Sequence, residues 1–367
     1  MNPTHSPRIL LSGVVLGQPM GGVRRHNAEL LPRASRILKQ RGGTLTVIEG
    51  SKPISFPLGE DIERIRTRVP FQPPWQRWAL EQGTIERAVQ QASAEGRPFD
   101  LWHTAHLPVP RVSLPYALTI HDLRDLTLES TSALRKVISP RLFASAIQGA
   151  RVVMTVSDYM RDEIRRRFRP RRVVVIPNAA DHMQFIERKP DSEPFLLHVG
   201  HIERRKNLEL ILNALALDPK LPRLVLAGNP KSGEDLRLQR IADQLGVRER
   251  VEFLEGATDE ALIELYSRAT CVVIPSFMEG FGIGVLEAQL ARAPLAVSNA
   301  GALPEVAGQA VPSFSPNDPE ACLKAIREAI RQSEEEAQAA HDQAQRYSWQ
   351  KSSEALTKAW IEAANGS

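Results

Sequence analysis

One pattern constrains this chain more than any other. Short apolar runs, often β-branched, alternate with longer amphipathic stretches, and the alternation runs through twice. In the first half the runs are Ile9–Val15, Thr44–Ile48, Leu101–His103, Tyr116–Ile120, Val152–Val156 and Val173–Ile176. Their shortness and near-continuous hydrophobicity suit strands buried on both faces. Between the first two, Leu30, Leu31, Ala34, Ile37 and Leu38 recur at helical spacing within Val23–Arg41. The second half offers Phe195–Val199, Leu224–Ala227, Val251–Leu254, Cys271–Ile274 and Leu295–Val297 as strands. Helices are predicted over Leu208–Leu217, Asp235–Leu245, Glu260–Ala269 and Ile283–Ala291. Such alternation dictates an α/β class with parallel, doubly wound sheets. The polar, proline-bearing segment Arg188-Lys189-Pro190-Asp191-Ser192-Glu193-Pro194 reads as the linker between two sheets. From about Ser333 only helix is predicted. The two sheets are expected to face each other across a crevice at their strand C-terminal ends, where open α/β sheets take ligands.

Composition narrows the class further. The 367 residues suffice for two or three domains, and 42% hydrophobic with 25% charged residues excludes wholesale disorder. No apolar run approaches the ~20 residues of a bilayer span. Nothing at the start resembles a charged n-region with a cleavage site, so a cytoplasmic protein is expected. Two cysteines, Cys271 and Cys322, are too few for a disulfide framework or a four-thiolate zinc site. The net charge of +4 is unevenly spread. Residues 1–190 carry 29 basic against 17 acidic side chains, a net +12, and the remainder 18 against 26, a net −8. Seven arginines fall within Arg161–Arg172. The run is either a solvated helix face or a surface for an anion such as a phosphorylated acceptor or an anionic membrane. No zinc-finger, RNP or helix-turn-helix pattern supports nucleic acid.

Two motifs carry chemistry. In Phe277-Met278-Glu279-Gly280-Phe281-Gly282-Ile283-Gly284-Val285-Leu286-Glu287-Ala288 a buried strand leads through a glycine-rich turn into a helix. Glycines let backbone approach a ligand closely, and the N–H groups of a first helical turn attract anions. Glu279 and Glu287 suit vicinal hydroxyls, because ionised carboxylates are pure acceptors. A helix cap with a surface ion pair is the plainer alternative. The second motif, Val199-Gly200-His201-Ile202-Glu203-Arg204-Arg205-Lys206-Asn207, sets three cations beside a predicted helix N-terminus, where the macrodipole disfavours them. A bound anion would resolve that conflict.

With these motifs in hand the chain resembles the glycosyltransferase group 1 family, a retaining class with the GT-B fold. The likeness also rests on Gly21-Gly22-Val23, Ile120-His121-Asp122, Val156-Ser157, Ile176-Pro177-Asn178, Pro304-Glu305-Val306, Ser315-Pro316-Asn317-Asp318-Pro319 and Tyr347-Ser348-Trp349. It implies two Rossmann-like domains, residues 1–188 on the acceptor side and 189–345 for the nucleotide sugar. Residues 346–367 would form a helix packing back on the first domain. It further implies that Glu287 holds the donor ribose and that Glu279 holds sugar hydroxyls beside the backbone of Gly280, Phe281 and Gly282. Arg205 and Lys206 would grip the diphosphate, His121 would line the sugar pocket, and Gly21 and Gly22 would shape a loop near the β-phosphate.

The expected reaction is metal-independent transfer of a hexose, with mannose favoured, from a GDP- or UDP-sugar to a glycan or lipid-linked acceptor in polysaccharide biosynthesis. No cofactor is implied, and peripheral contact with the inner membrane face is an expected partner interaction. The alternatives are a GT-B nucleotide-sugar epimerase or hydrolase, and a non-catalytic nucleotide-sugar-binding protein. His201, Gly284, Ala179 and Ala293 depart from residues usual in the family, but none removes a charge that the chemistry needs. His103 with His106 as a metal pair, and Trp75 with Trp78 as a stacking platform, are weaker candidates that wall or core roles explain as well.

Overall fold

A computed structural model describes residues 6–18, 21–126, 133–183, 187–189 and 191–366. The chain divides into two compact units, Met1–Pro177 with Trp349–Ser367, and Asn178–Ser348.

The first unit is built from β1 (Arg8–Gly13), α1 (Gly22–Gln40), β2 (Thr44–Glu49), β3 (Ile62–Arg66), α2 (Pro74–Ala94), β4 (Leu101–Thr104), β5 (Tyr116–Ile120), α3 (Ala133–Gly149), β6 (Val152–Thr155), α4 (Asp158–Phe168) and β7 (Val173–Val175). Its sheet is parallel, in the order β3-β2-β1-β4-β5-β6-β7. The central strands are buried along almost their whole length, as their apolar runs require. Strand β3 has no counterpart in the apolar pattern. It is the edge strand Ile62-Glu63-Arg64-Ile65-Arg66, and an edge tolerates charges that a central strand does not.

In the second unit come β8 (Phe195–Val199), α5 (Glu209–Leu217), β9 (Arg223–Ala227), α6 (Glu234–Gln244), β10 (Val251–Leu254), α7 (Asp259–Arg268), β11 (Cys271–Ile274), α8 (Ile283–Leu290), β12 (Leu295–Ser298), α9 (Leu303–Ala307), β13 (Ser313–Phe314), α10 (Pro319–Ile330) and α11 (Glu334–Gln345). The strand order is β10-β9-β8-β11-β12-β13, and every pairing is parallel. The direction of winding reverses between β8 and β11, so a crevice opens there at their C-terminal ends. Both motifs singled out by the sequence follow these two strands.

The segment read as linker belongs to this second unit. The Arg188 guanidinium donates to the carbonyls of Tyr266, Ser267 and Ala269 at 3.2, 2.8 and 2.5 Å. Asp191 pairs with Arg268 at 2.5 Å. The last helix, α12 (Trp349–Ala364), lies in the first unit and packs on α1. Trp349 and Trp360 are fully buried there, and Arg151 donates to the Ala363 carbonyl at 2.8 Å.

The arginine run begins with Arg161 in the first turn of α4 and continues through its last turn into the residues after it. Arg161 pairs with Asp158 and Asp162, Arg166 and Arg167 with Glu163, and Arg172 with Glu362. Cations near a helix C-terminus also suit the macrodipole, so most of the run is explained within its own unit. Among the described residues no helix is long and apolar enough to cross a membrane.

Candidate functional site

At the winding reversal of the second sheet, β8 leads into Gly200, and the chain then forms a 3-10 turn over Arg204–Lys206. The three cations form this short turn just before α5, beside the helix N-terminus that the sequence predicts. Asn207 closes the turn in the left-handed region, and α5 begins two residues later with Glu209 in its first turn. Asn207 explains the detour, because its side-chain amide donates to the carbonyls of Pro275 and Pro316 at 3.0 and 2.7 Å. The turn is thereby tied to the loop after β11 and to the Ser-Pro-Asn-Asp-Pro segment. The Phe277 N–H donates to the Arg205 carbonyl at 2.9 Å and closes the same seam.

Glu279 sits at the centre of this seam. Lys206 Nζ donates to its Oε1 at 2.6 Å, Arg205 Nη1 to its Oε2 at 3.0 Å, and Ser276 Oγ to Oε1 at 2.8 Å. Only 8% of the residue is exposed. Burial opposes the charge, yet Lys206 and then Arg205 outweigh it and hold the carboxyl at about 2. Arg205 is gripped from its other side by Glu203 at 2.7 Å. The Glu279 backbone is fixed as firmly, since the Ala302 N–H donates to its carbonyl at 3.0 Å. Gly301 has φ +64°, and a Cβ there would lie 2.5 Å from that carbonyl oxygen. Glycine is therefore required at 301.

Glu287 lies on α8, which Gly282 opens with φ +95°. Its Oε2 accepts from Tyr266 Oη at 2.8 Å, and burial together with this carboxylate pushes the Tyr266 phenol well above its ordinary range. The Phe281 ring is buried edge-on against Tyr347, with centroids 5.5 Å apart. His201 is half-buried at the mouth of the 3-10 turn, and its pKa is lowered by burial and then by Lys231.

The remaining predicted residues lie in the first unit. Gly21 and Gly22 begin α1, and His26 on the same helix meets the His121 ring edge-on at 4.8 Å. His121 follows β5 directly. Burial, His103 and Arg124 lower it to about 4, so the imidazole is neutral near neutral pH. Its Nε2 is buried without a hydrogen-bond partner among the described residues. His103 is a wall residue. Trp360 Nε1 donates to its Nδ1 at 3.2 Å, which leaves Nε2 to donate to Thr119 Oγ1 at 2.8 Å. His106 instead joins Ser12 and the fully buried Glu81. Among the described residues no group of three or more His, Cys, Asp or Glu side chains could hold a metal ion. Trp75 is exposed, and Trp78 Nε1 donates to the Val109 carbonyl at 3.2 Å.

Sequence reasoning thus found Arg205, Lys206, Glu279 and Glu287 but not their partners. Ser276, Tyr266 and Gly301 were missed, and Glu203 was quoted in its motif without its pairing to Arg205. The glycine after a Ser-Asn-Ala run was the one local signal available for any of them.

Two doubly wound α/β units, with a cation–carboxylate cluster at the winding reversal of the second, define the GT-B class. Residues 20–184 match the model for Glycosyltransferase Family 4, and residues 180–346 match that for Glycosyl transferases group 1. The chain matches these two glycosyltransferase models in turn over residues 20–346, each over a little under half of its length. It is 31% identical over 246 residues to the O-antigen chain mannosyltransferase B of Escherichia coli, a match covering 60% of this chain and 64% of that relative. Sucrose-phosphate synthase from Thermosynechococcus elongatus shares the fold with a TM-score of 0.77 at 19% identity, covering 98% of this chain and 100% of that one. Anabaena HepE in complex with UDP-glucose does so at 0.70 and 18%, covering 96% and 99%.

Proposed function

We propose that this protein transfers a hexose, with mannose favoured, from a nucleotide diphosphate sugar to a glycan or lipid-linked acceptor, retaining the anomeric configuration without a metal ion. The observation that carries this reading is the joint capture of Lys206 and Arg205 by one buried carboxylate at the second sheet's winding reversal. In the resting chain Glu279 answers both cations. A diphosphate brings more negative charge to the same cations, and Glu279 then has acceptor capacity left for sugar hydroxyls.

As the sugar departs, charge grows on the diphosphate. Cations already oriented by Glu279, Glu203 and Asn207 stabilise that charge without reorganising. One lysine at ~4 Å from a unit charge is worth ~4 kcal/mol at an effective dielectric near 20, before desolvation. Glu287, oriented by Tyr266, is assigned to the ribose. His121 is assigned to the sugar pocket as a neutral ring. The E. coli relative's name supports mannose, and the UDP-glucose complex of the Anabaena structure supports a nucleotide-sugar donor.

Thermal unfolding across a panel of GDP- and UDP-sugars tests the donor, because a ligand that binds only the folded chain raises Tm. A rise with at least one of them, and turnover that survives EDTA, is expected. A flat panel contradicts the reading, and a strict metal requirement contradicts its metal-free form. The +12 balance of residues 1–190 extends the proposal to a peripheral seat on an anionic membrane. Vesicles of anionic phospholipid should sediment the chain at low salt, and failure to do so removes that partner.

A further inference from the structure

His198 lies on β8, one residue before the strand ends, and is 1% exposed. Its Nδ1 is 2.9 Å from the Val273 carbonyl oxygen on β11, the strand across the winding reversal. A carbonyl only accepts, so Nδ1 carries the proton. Burial, with Lys206 next, lowers this histidine to about 4, which leaves the ring neutral. Nε2 is then a bare lone pair, and it is buried with no hydrogen-bond partner among the described residues. A buried acceptor left unsatisfied in this way is destabilising. It stands beside the proposed donor site. Nε2 lies 3.7 Å, and Lys206 Nζ 3.6 Å, from the point that a Cβ on Gly200 would occupy. Gly200 has φ +142°, a conformation that other residues rarely adopt, so this shared space stays open.

We infer that His198 is a positioning residue for Lys206, its bare Nε2 serving as the second acceptor for the lysine ammonium when a diphosphate occupies the site. This rests on the donor site proposed above. An ammonium has three N–H groups. Glu279 Oε1 takes one at 2.6 Å, His198 takes the second, and the third is aimed at the diphosphate. Two fixed acceptors convert a freely rotating point charge into a directed donor. The charged groups that face the ring are Lys206, Glu279 and Arg205. The two cations disfavour a proton on Nε2, so the acceptor stays bare. A phenylalanine or leucine would fill the same volume and offer Lys206 nothing.

Two near-isosteric variants separate this role from packing. His198→Asn keeps a donor in the place of Nδ1 and deletes Nε2, whereas His198→Gln places an amide oxygen in the place of Nε2. Affinity for GDP and for UDP, measured by titration calorimetry, is expected to fall about tenfold in His198→Asn and to recover to within about twofold in His198→Gln, the worth of one hydrogen bond. In a Lys206→Ala background His198→Asn should change nothing further, since its effect passes through the lysine. Equal affinities in His198→Asn and the native chain overturn the inference, as do losses that simply add in the double variant. A uniform loss in both single variants also overturns it, as a packing effect. If Lys206→Ala leaves affinity unchanged, or neither nucleotide binds the native chain, the donor-site reading itself fails and this inference falls with it.

Discussion

Glu279 shows how a single side chain can be held in a charged state that its surroundings should forbid. Buried carboxyls ordinarily take up a proton, and this one is kept ionised by two cations at 2.6 and 3.0 Å. Its pKa is depressed from an ordinary 4.5 to about 2. A depressed carboxyl contributes stability that is complete above its unfolded value and is lost as pH falls through its folded value. The stability difference between the native chain and Glu279→Gln should therefore be full near about pH 7 and shrink between about 4.5 and 2. Denaturant titrations at several pH values measure it, and a difference independent of pH would contradict the assigned charge state. Lys206 and Glu279 were each visible in the sequence. Their pairing was not, because 73 residues separate them and nothing local signals a long-range contact.

Among the elements, legibility follows burial. The central strands stood out because burial on both faces demands apolar runs. Strand β3 was invisible for the opposite reason, and β13 has only two residues. Helix was legible from about Ser333 onward, whereas the packing of α12 on the first unit was foreseen through resemblance alone, and what it does there is physical. It brings two fully buried tryptophans to the first unit, and Thr357 Oγ1 and Trp360 Nε1 reach Ala34 and His103. Removing a buried tryptophan side chain costs about 3–5 kcal/mol, so losing both rivals the ~5–15 kcal/mol that holds a domain together. A chain ended at Ser348 should lose the first unit's calorimetric transition and keep that of the second. Two intact transitions would mean that α12 is dispensable.

For the molecule as a whole, charge and topology divide the work. The basic surplus lies in the first 190 residues, yet the cations that matter most to the proposed chemistry sit in the acidic remainder, where Glu203 and Glu279 hold them. Net charge alone points to the other half. Topology points to the proposed site, since the winding reversal of the second sheet gathers residues 200–207, 275–287 and 298–302 at one seam. The central claim is that Lys206 stabilises charge on a departing diphosphate. Its most direct test is turnover of Lys206→Ala at saturating nucleotide sugar, with folding checked by thermal unfolding. We expect kcat to fall by about two to three orders of magnitude, in keeping with a ~4 kcal/mol interaction. A folded variant that turns over at the native rate would contradict the account.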